Sequence, residues 1–157
     1  MTEQSPIVKV GGKIPFQAAF NWSVGMLMEK FIKSLADKKL MAAKCPACGY
    51  TYVPPRNRCG KCNAEITESD LVELSGKGEL QSYTLGMVKL DGAGNFEDLP
   101  TPQAIGSVKL EGADSTLFMP LHDVDVEKLD PGMKLEIIWN DELKGHPTDI
   151  KGFKPTK

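Results

Sequence analysis

The stretch from Lys44 to Glu65, KCPACGYTYVPPRNRCGKCNAE, holds all four cysteines of the chain: Cys45, Cys48, Cys59 and Cys62. They form two Cys-x2-Cys pairs with ten residues between them. Two intervening residues let both sulfurs of a pair meet one ion from a tight turn, whose backbone N–H groups point at the thiolates. Gly49, after Cys48, and Gly60, inside the second pair, are expected to relieve crowding where these turns need unusual dihedrals. The segment YTYVPPRNR between the pairs is long enough for a short joining hairpin. This is the layout of a zinc ribbon, and it predicts that Cys45, Cys48, Cys59 and Cys62 hold one zinc ion. A thioredoxin-like pair would stand alone at a strand-to-helix junction. An iron–sulfur centre stays open on ligand type alone.

Four thiolates fill a tetrahedral shell and leave no position for water or substrate, so the ion reads as structural rather than catalytic. Lys44, Arg56, Arg58 and Lys61 flank the cysteines. They either offset the negative charge of the thiolates or form an anion-binding patch.

Upstream, residues 1–43 read as an arm followed by a helix. Gly11, Gly12 and Pro15 break any regular pattern in the arm. From about Asn21 to Leu40, Met28, Phe31, Ile32 and Leu35 recur at helical spacing and share one face. Asn21 or Ser23 is expected to cap the start, and Lys38 and Lys39 suit the C-terminus. Met26, Leu27 and Met41 add adaptable apolar surface. Two readings stand: the helix packs on the rest of the chain, or it docks on another protein through Met28, Phe31, Ile32 and Leu35.

Downstream of the ribbon (44–66), the texture changes. LVELSGKGELQSYTLGMVKL reads as strand, Gly-Lys-Gly turn and strand, and QAIGSVKLEG, STLFMPLHDV and KLEIIWND read as three more strands. DGAGNFEDLPTP reads as a loop and DVEKLDPGMK as a turn. Five strands with Gly-rich turns and no long helix predict a mainly β chain with a small, closed or partly closed barrel over 67–142. Residues 143–157 are expected to be an irregular tail.

A chain of 157 residues with 41% hydrophobic and 25% charged residues supports a packed core. No apolar run approaches the roughly 18 residues of a membrane span. The N-terminal MTEQSPIVKVGGK lacks the basic start and apolar core of a secretory signal. The expectation is a cytoplasmic protein, where reduced thiols favour a metal over disulfides. The net charge of −2 hides an asymmetry: residues 1–66 carry +6 and residues 67–157 carry −8. Halves of opposite sign suggest two modules with different surfaces.

Neither His122 nor His146 has a nucleophile or acid at a spacing that suggests a triad, and no serine sits in a Gly-x-Ser-x-Gly setting. DGAGNFE lacks the third glycine and the following helix of a dinucleotide loop. Its Phe96 is a candidate for covering a ligand. No catalytic residue is assigned, and the chain reads as a binding or assembly module.

Three stretches carry a family likeness: CPACGYTYVPPRNRCGKC (45–62), LSGKGELQSYTL (Leu74–Leu85) and LDPGMKLEI (Leu129–Ile137). In this order, behind a helix, they resemble the bacterial and archaeal zinc-ribbon/OB-fold family that accompanies thiolases and related acyl-CoA enzymes. The resemblance covers about residues 20–142. It implies a rubredoxin-like ribbon, a five-stranded OB-fold barrel, and a non-catalytic subunit of an acyltransferase hetero-oligomer. The catalytic cysteine would belong to the thiolase-like partner. Lys44, Arg56, Arg58 and Lys61 would face CoA phosphates, and Tyr83, Phe96 and Phe118 would give apolar surface to acyl-CoA or the partner. Two departures exist. Family members commonly carry a Phe-Trp pair on the helix, where Trp22 and Phe31 are apart here, and TLGMV stands where a Thr-Val-Val run often follows Tyr83. The rival reading is a single-stranded nucleic-acid-binding module, a role that OB-folds and zinc ribbons both serve. The charge map opposes it, because a strand-binding groove is positive and the barrel half carries −8.

Overall fold

Helix α1 (Met26–Leu35) places Leu27, Phe31 and Leu35 four residues apart, and all three are buried. The computed structural model describes residues 21, 23–91 and 93–156; the expected arm and Trp22 lie outside them. The helix is shorter than the sequence suggests. Gly25 stands at its N-cap without a side-chain cap, and Ser23 Oγ instead accepts from the Gly25 N–H. At the other end, Lys39 N–H donates to Ser34 O and Lys38 N–H to Leu35 O, with Lys38 left-handed (φ 58°). This Schellman arrangement stops the helix and turns the chain into the next strand.

A three-stranded antiparallel sheet follows, with β1 (Leu40–Lys44) between β2 (Thr51–Tyr52) and β3 (Leu71–Leu74). Ala43 pairs with Tyr52 on one side and with Leu71 on the other. The strand expected to open the barrel therefore completes the ribbon sheet, which reaches beyond 44–66 on both sides. The reason lies at Gly76 (φ 75°), where a Cβ would stand 2.6 Å from the Ile137 side chain. Ser75–Gly78 is a corner between two sheets, and no hairpin forms there.

The second sheet has the order β6-β5-β4-β7-β8, all antiparallel. Its strands are β4 (Lys77–Leu90), β5 (Phe96–Leu110), β6 (Thr116–Pro120), β7 (Lys134–Trp139) and β8 (Ile150–Pro155). A parallel bridge from Leu121 to Phe153 joins its two ends, and His122 N–H donates to Phe153 O at 2.8 Å. A Cβ at Gly152 would lie 2.3 Å from Pro120 O, so only glycine allows this approach. The result is a closed five-stranded OB-type barrel. The tail expected to be irregular supplies its closing strand. Phe153 is fully buried among Leu80, Val108, Leu110, Leu117, Leu121 and Leu135. Gly152 marks the close crossing, and Pro155 ends the strand.

The helix joins the two parts. Leu27 packs in the ribbon cluster with Ala43, Cys45, Tyr52, Cys59 and Ile66. Phe31 and Leu35 belong to the barrel core, with Met28 and Ile32 partly buried against it. The barrel loop before β6 also grips the ribbon. Thr51 N–H donates to Asp114 Oδ2 at 2.8 Å, and Asp114 N–H returns to Thr51 O at 2.9 Å.

One part of β4 and β5 leaves the barrel. β7 and the turn before it reach β4 only as far as Leu80, and β6 and Leu121 reach β5 only as far as Ala104. Beyond these points, among the described residues, the two strands pair only with each other. The expected loop DGAGNFEDLPTP is mostly strand, because Leu90 pairs with Phe96 and Lys89 forms an ion pair with Glu97 at 2.9 Å. Only the tip turns. There Asp91 Oδ1 accepts from Ala93 and Asn95 N–H groups, and Gly94 takes φ 94°. Among the described residues, no helix is long and apolar enough to cross a membrane.

Candidate metal centre

The two cysteine pairs build matching turns. Cys45 N–H donates to Tyr50 O and Gly49 N–H to Cys45 O; Cys59 N–H donates to Ala64 O and Asn63 N–H to Cys59 O, all at 2.9 Å. Gly49 (φ 74°) and Asn63 (φ 59°) take the same left-handed place after the second cysteine of each turn. The strained position of the second turn is thus Asn63, where the sequence pointed to Gly60. Asparagine tolerates this region better than most side chains. Gly60 matters for space instead, since a Cβ there would lie 3.0 Å from Arg56 Nη1.

The four sulfurs lie within 4.8 Å of one another. Cys45–Cys62 and Cys48–Cys59 are 3.6 Å apart. A disulfide needs about 2.0 Å. Metal–sulfur bonds of about 2.3 Å in a tetrahedron place the sulfurs about 3.8 Å apart, so the spacing fits an ion between them. Cys45 and Cys59 are buried, and Cys48 and Cys62 are exposed.

The electrostatics point the same way. The Tyr52 hydroxyl, against the opposing effect of burial, brings the Cys59 thiol down to about 5, helped by the N–H groups of Cys62 and Lys61. The Cys48 N–H lowers Cys45. The Tyr50 N–H favours the Cys48 thiolate, yet partial desolvation and the Cys45 and Cys59 sulfurs leave this thiol raised. The Ala64 N–H acts likewise on Cys62, but desolvation and its three neighbouring sulfurs push it up to about 12. Two thiols are lowered and two are raised, as expected where four negative sulfurs crowd one space without a compensating cation.

The basic residues of this segment are all exposed. Arg56 lies over the Tyr52 ring at 5.1 Å, and Lys61 Nζ is 6.0 Å from the Tyr50 ring. Arg58 Nη1 donates to Asn63 O at 3.2 Å. Lys44 ends β1, opposite Thr51. Arg56 and Arg58 are thus partly tied to the ribbon itself.

The three aromatics of the barrel half do not form one surface. Tyr83 pairs with Gly106, whose inner side meets Leu80 and Leu121, and Gly106 pairs with Met119. Phe118 precedes Met119 and pairs with Ser107, so alternation puts it on the outer face. Phe96 sits apart at the tip of the β4–β5 arm. Phe96 and Phe118 are each 73% exposed. Exposed Leu85, Met87, Val88 and Leu90 join Tyr83 and Phe96 on the arm. Sequence reading named Tyr83 and Phe96 but missed Leu85, Met87, Val88 and Leu90, because such residues read as an ordinary core strand.

The helix face suggested for docking is turned into the chain: Phe31 and Leu35 are buried, and Met28 and Ile32 are half-buried. The histidines have structural partners. His122 Nε2 lies 3.2 Å from Lys151 O, and His146 Nδ1 lies 2.8 Å from Thr148 Oγ1. Sequence reading passed over Asp149, which is buried and accepts from the N–H groups of Lys144, Gly145 and His146.

Comparison with known proteins bears on both parts. The domain described as "ChsH2, rubredoxin-like zinc ribbon domain" matches residues 33–68, and "ChsH2, C-terminal OB-fold domain" matches residues 71–140. A DUF35 domain-containing scaffold protein of Methanocaldococcus jannaschii is 33% identical over 100 residues, which are 64% of this chain and 67% of that protein. A DUF35 protein of unknown function from Sulfolobus solfataricus has a similar structure, with TM-score 0.62 and 24% identity over 84% of this chain and 87% of that one. A chain of the Ltp2-ChsH2(DUF35) aldolase gives TM-score 0.61 and 21% identity over 86% of this chain and 98% of its own. These two structural likenesses concern the fold. With its four-cysteine ribbon followed by a closed OB barrel, the chain belongs to the DUF35 family, of the ChsH2 type.

Proposed function

We propose that this chain is a non-catalytic subunit of a thiolase-type acyl-CoA complex, assisting its assembly and the binding of acyl-CoA. The observation that carries the reading is the β4–β5 arm. Among the described residues it is a two-stranded ribbon with both edges unpaired outward of Leu85 and Ala104, bearing five exposed large apolar side chains, Leu85, Met87, Val88, Leu90 and Phe96, with exposed Tyr83 at its base. An isolated two-stranded ribbon is marginal in water, and such a patch marks an interaction surface. The names of two similar proteins, a scaffold protein and an aldolase of two named components, lend support.

In this reading Cys45, Cys48, Cys59 and Cys62 hold one structural zinc ion. The catalytic cysteine lies on the partner, and Lys44, Arg56, Arg58 and Lys61 meet the CoA phosphates. Phe118, on the outer barrel face, is a separate partner contact. The setting is the cytoplasm. Within the family, the quoted motifs most resemble the small subunit of benzoylsuccinyl-CoA thiolase, from anaerobic toluene breakdown, and we take that as the substrate. The test is purification of the native complex, with its components identified and its metal measured. A thiolase-like chain that copurifies and turns over benzoylsuccinyl-CoA is the expected result. A monomer without partner or CoA binding overturns the proposal.

A further inference from the structure

Among the described residues, one side chain besides the cysteines themselves hydrogen-bonds to a sulfur of the metal centre. Tyr52 Oη lies 3.3 Å from Cys59 Sγ. The same oxygen accepts from the Gly60 N–H at 2.9 Å. A phenol has one proton, and a metal-bound thiolate has none. With Gly60 on its lone pair, the hydroxyl donates to the sulfur. The ring is held on two sides. Tyr50 packs at 4.6 Å between ring centroids, and the Arg56 guanidinium lies over the face at 5.1 Å. Tyr52 is buried in the ribbon cluster beside Leu27 and Ile66. Space at Gly60 is tight, because a Cβ there would come 3.0 Å from Arg56 Nη1, in contact with the hydroxyl as well.

We propose that Tyr52 is a positioning residue of the metal centre: its hydroxyl fixes Cys59 and draws off part of the sulfur's negative charge. The two buried ligands then differ, since Cys59 has an outer hydroxyl donor and Cys45 has only backbone. Arg56, stacked on the same ring, steadies the donor. The inference rests on the reading that the four cysteines hold one metal ion, and it gives Arg56 a role inside the ribbon.

The test uses the full chain loaded with Co2+ or Zn2+. Outer partners of metal ligands are worth about 10–100-fold in affinity. Tyr52→Phe keeps the ring and is expected to weaken Zn2+ about 10-fold in chelator competition. It should also move the thiolate-to-cobalt charge-transfer band to lower energy, because an undamped sulfur gives up its electron more easily. Tyr50→Phe loses a hydroxyl that donates to Asp114 O instead, and it should leave the band in place. Replacing tyrosine by 3-fluorotyrosine strengthens the donor and should move the band to higher energy. A band unmoved by fluorotyrosine overturns the proposal even where Tyr52→Phe fails to fold. A folded Tyr52→Phe protein with wild-type affinity and spectrum overturns it too. Wild-type protein that binds neither metal overturns the metal reading and this inference together, whereas loss of the acyl-CoA partner touches neither.

Discussion

The Ser115 hydroxyl accepts from the Val53 N–H at 2.7 Å and donates to the Val53 carbonyl at 3.0 Å. One barrel side chain thus satisfies both backbone groups of a buried ribbon residue. It follows Asp114, which bonds both backbone groups of Thr51. The ribbon is therefore held to the barrel by a short stretch that behaves like a strand partner.

Ser115→Ala leaves two buried backbone groups of Val53 unpaired. An orphaned polar group costs roughly 1–3 kcal/mol. With two such groups the expected loss is at least about 2 kcal/mol of unfolding free energy, read from urea denaturation. A midpoint equal to wild type at unchanged slope would contradict this account.

Metal removal should act on the ribbon first. Its cluster of buried residues is small and includes two of the cysteines, whereas the barrel core is larger and independent of them. A chelator is expected to raise amide exchange across Lys44–Ile66 and leave β4, β5 and β7 protected near the barrel centre. Cys59→Ser should reproduce the pattern without chelator. Uniform loss of protection would show that the two parts do not unfold separately.

Asp149 supplies a pH dependence. Burial alone would raise its carboxyl, but the N–H groups of Lys144, His146 and Gly145, with His146 charge, hold it below the ordinary value of 3.8. A carboxyl lowered in the folded state stabilises above its unfolded pKa, and the effect fades as pH falls through the folded one. Asp149→Asn is therefore expected to destabilise the protein at neutral pH. The gap from wild type should close on acidification below the ordinary aspartate range. A gap constant with pH would assign the loss to packing.

The arm gives a separable prediction. Leu90 and Phe96 face each other at its tip and are exposed. Leu90→Ser with Phe96→Ser should change stability by no more than about 0.5 kcal/mol per site, as for ordinary surface changes. The same double variant should lose the copurifying partner. Retained assembly would move the interface elsewhere.

Charge reversal at Arg56 and Arg58 tests the basic rim. The double Glu variant is expected to lower both complex assembly and CoA affinity. Unchanged values for both would leave these arginines with their ribbon contacts alone, over Tyr52 and on Asn63.

Much of this molecule could be read from the chain. Cysteine spacing led to the centre because the ligands are local: each pair closes its own turn. The stripe on α1 was legible for the same reason, although whether it faced inward depended on the distant barrel. Strand partnership is not local, and there the reading slipped. β3 and β8 exchange roles relative to expectation, since nothing in LVEL or IKGFKP records which neighbour awaits them. Tyr52 was invisible because its importance comes from folding back on Cys59, seven residues away.

The bridge between Leu121 and Phe153 also has a consequence in time. Ribosomes add about 5–20 residues per second. The last metal-centre cysteine, Cys62, therefore leaves the peptidyl-transferase centre several seconds before the strand that seals the barrel exists. During that interval the ribbon turns can capture an ion while β4, β5 and β6 wait as an open sheet. A truncation late in the message would thus release a chain with a finished clip and an unsealed barrel edge.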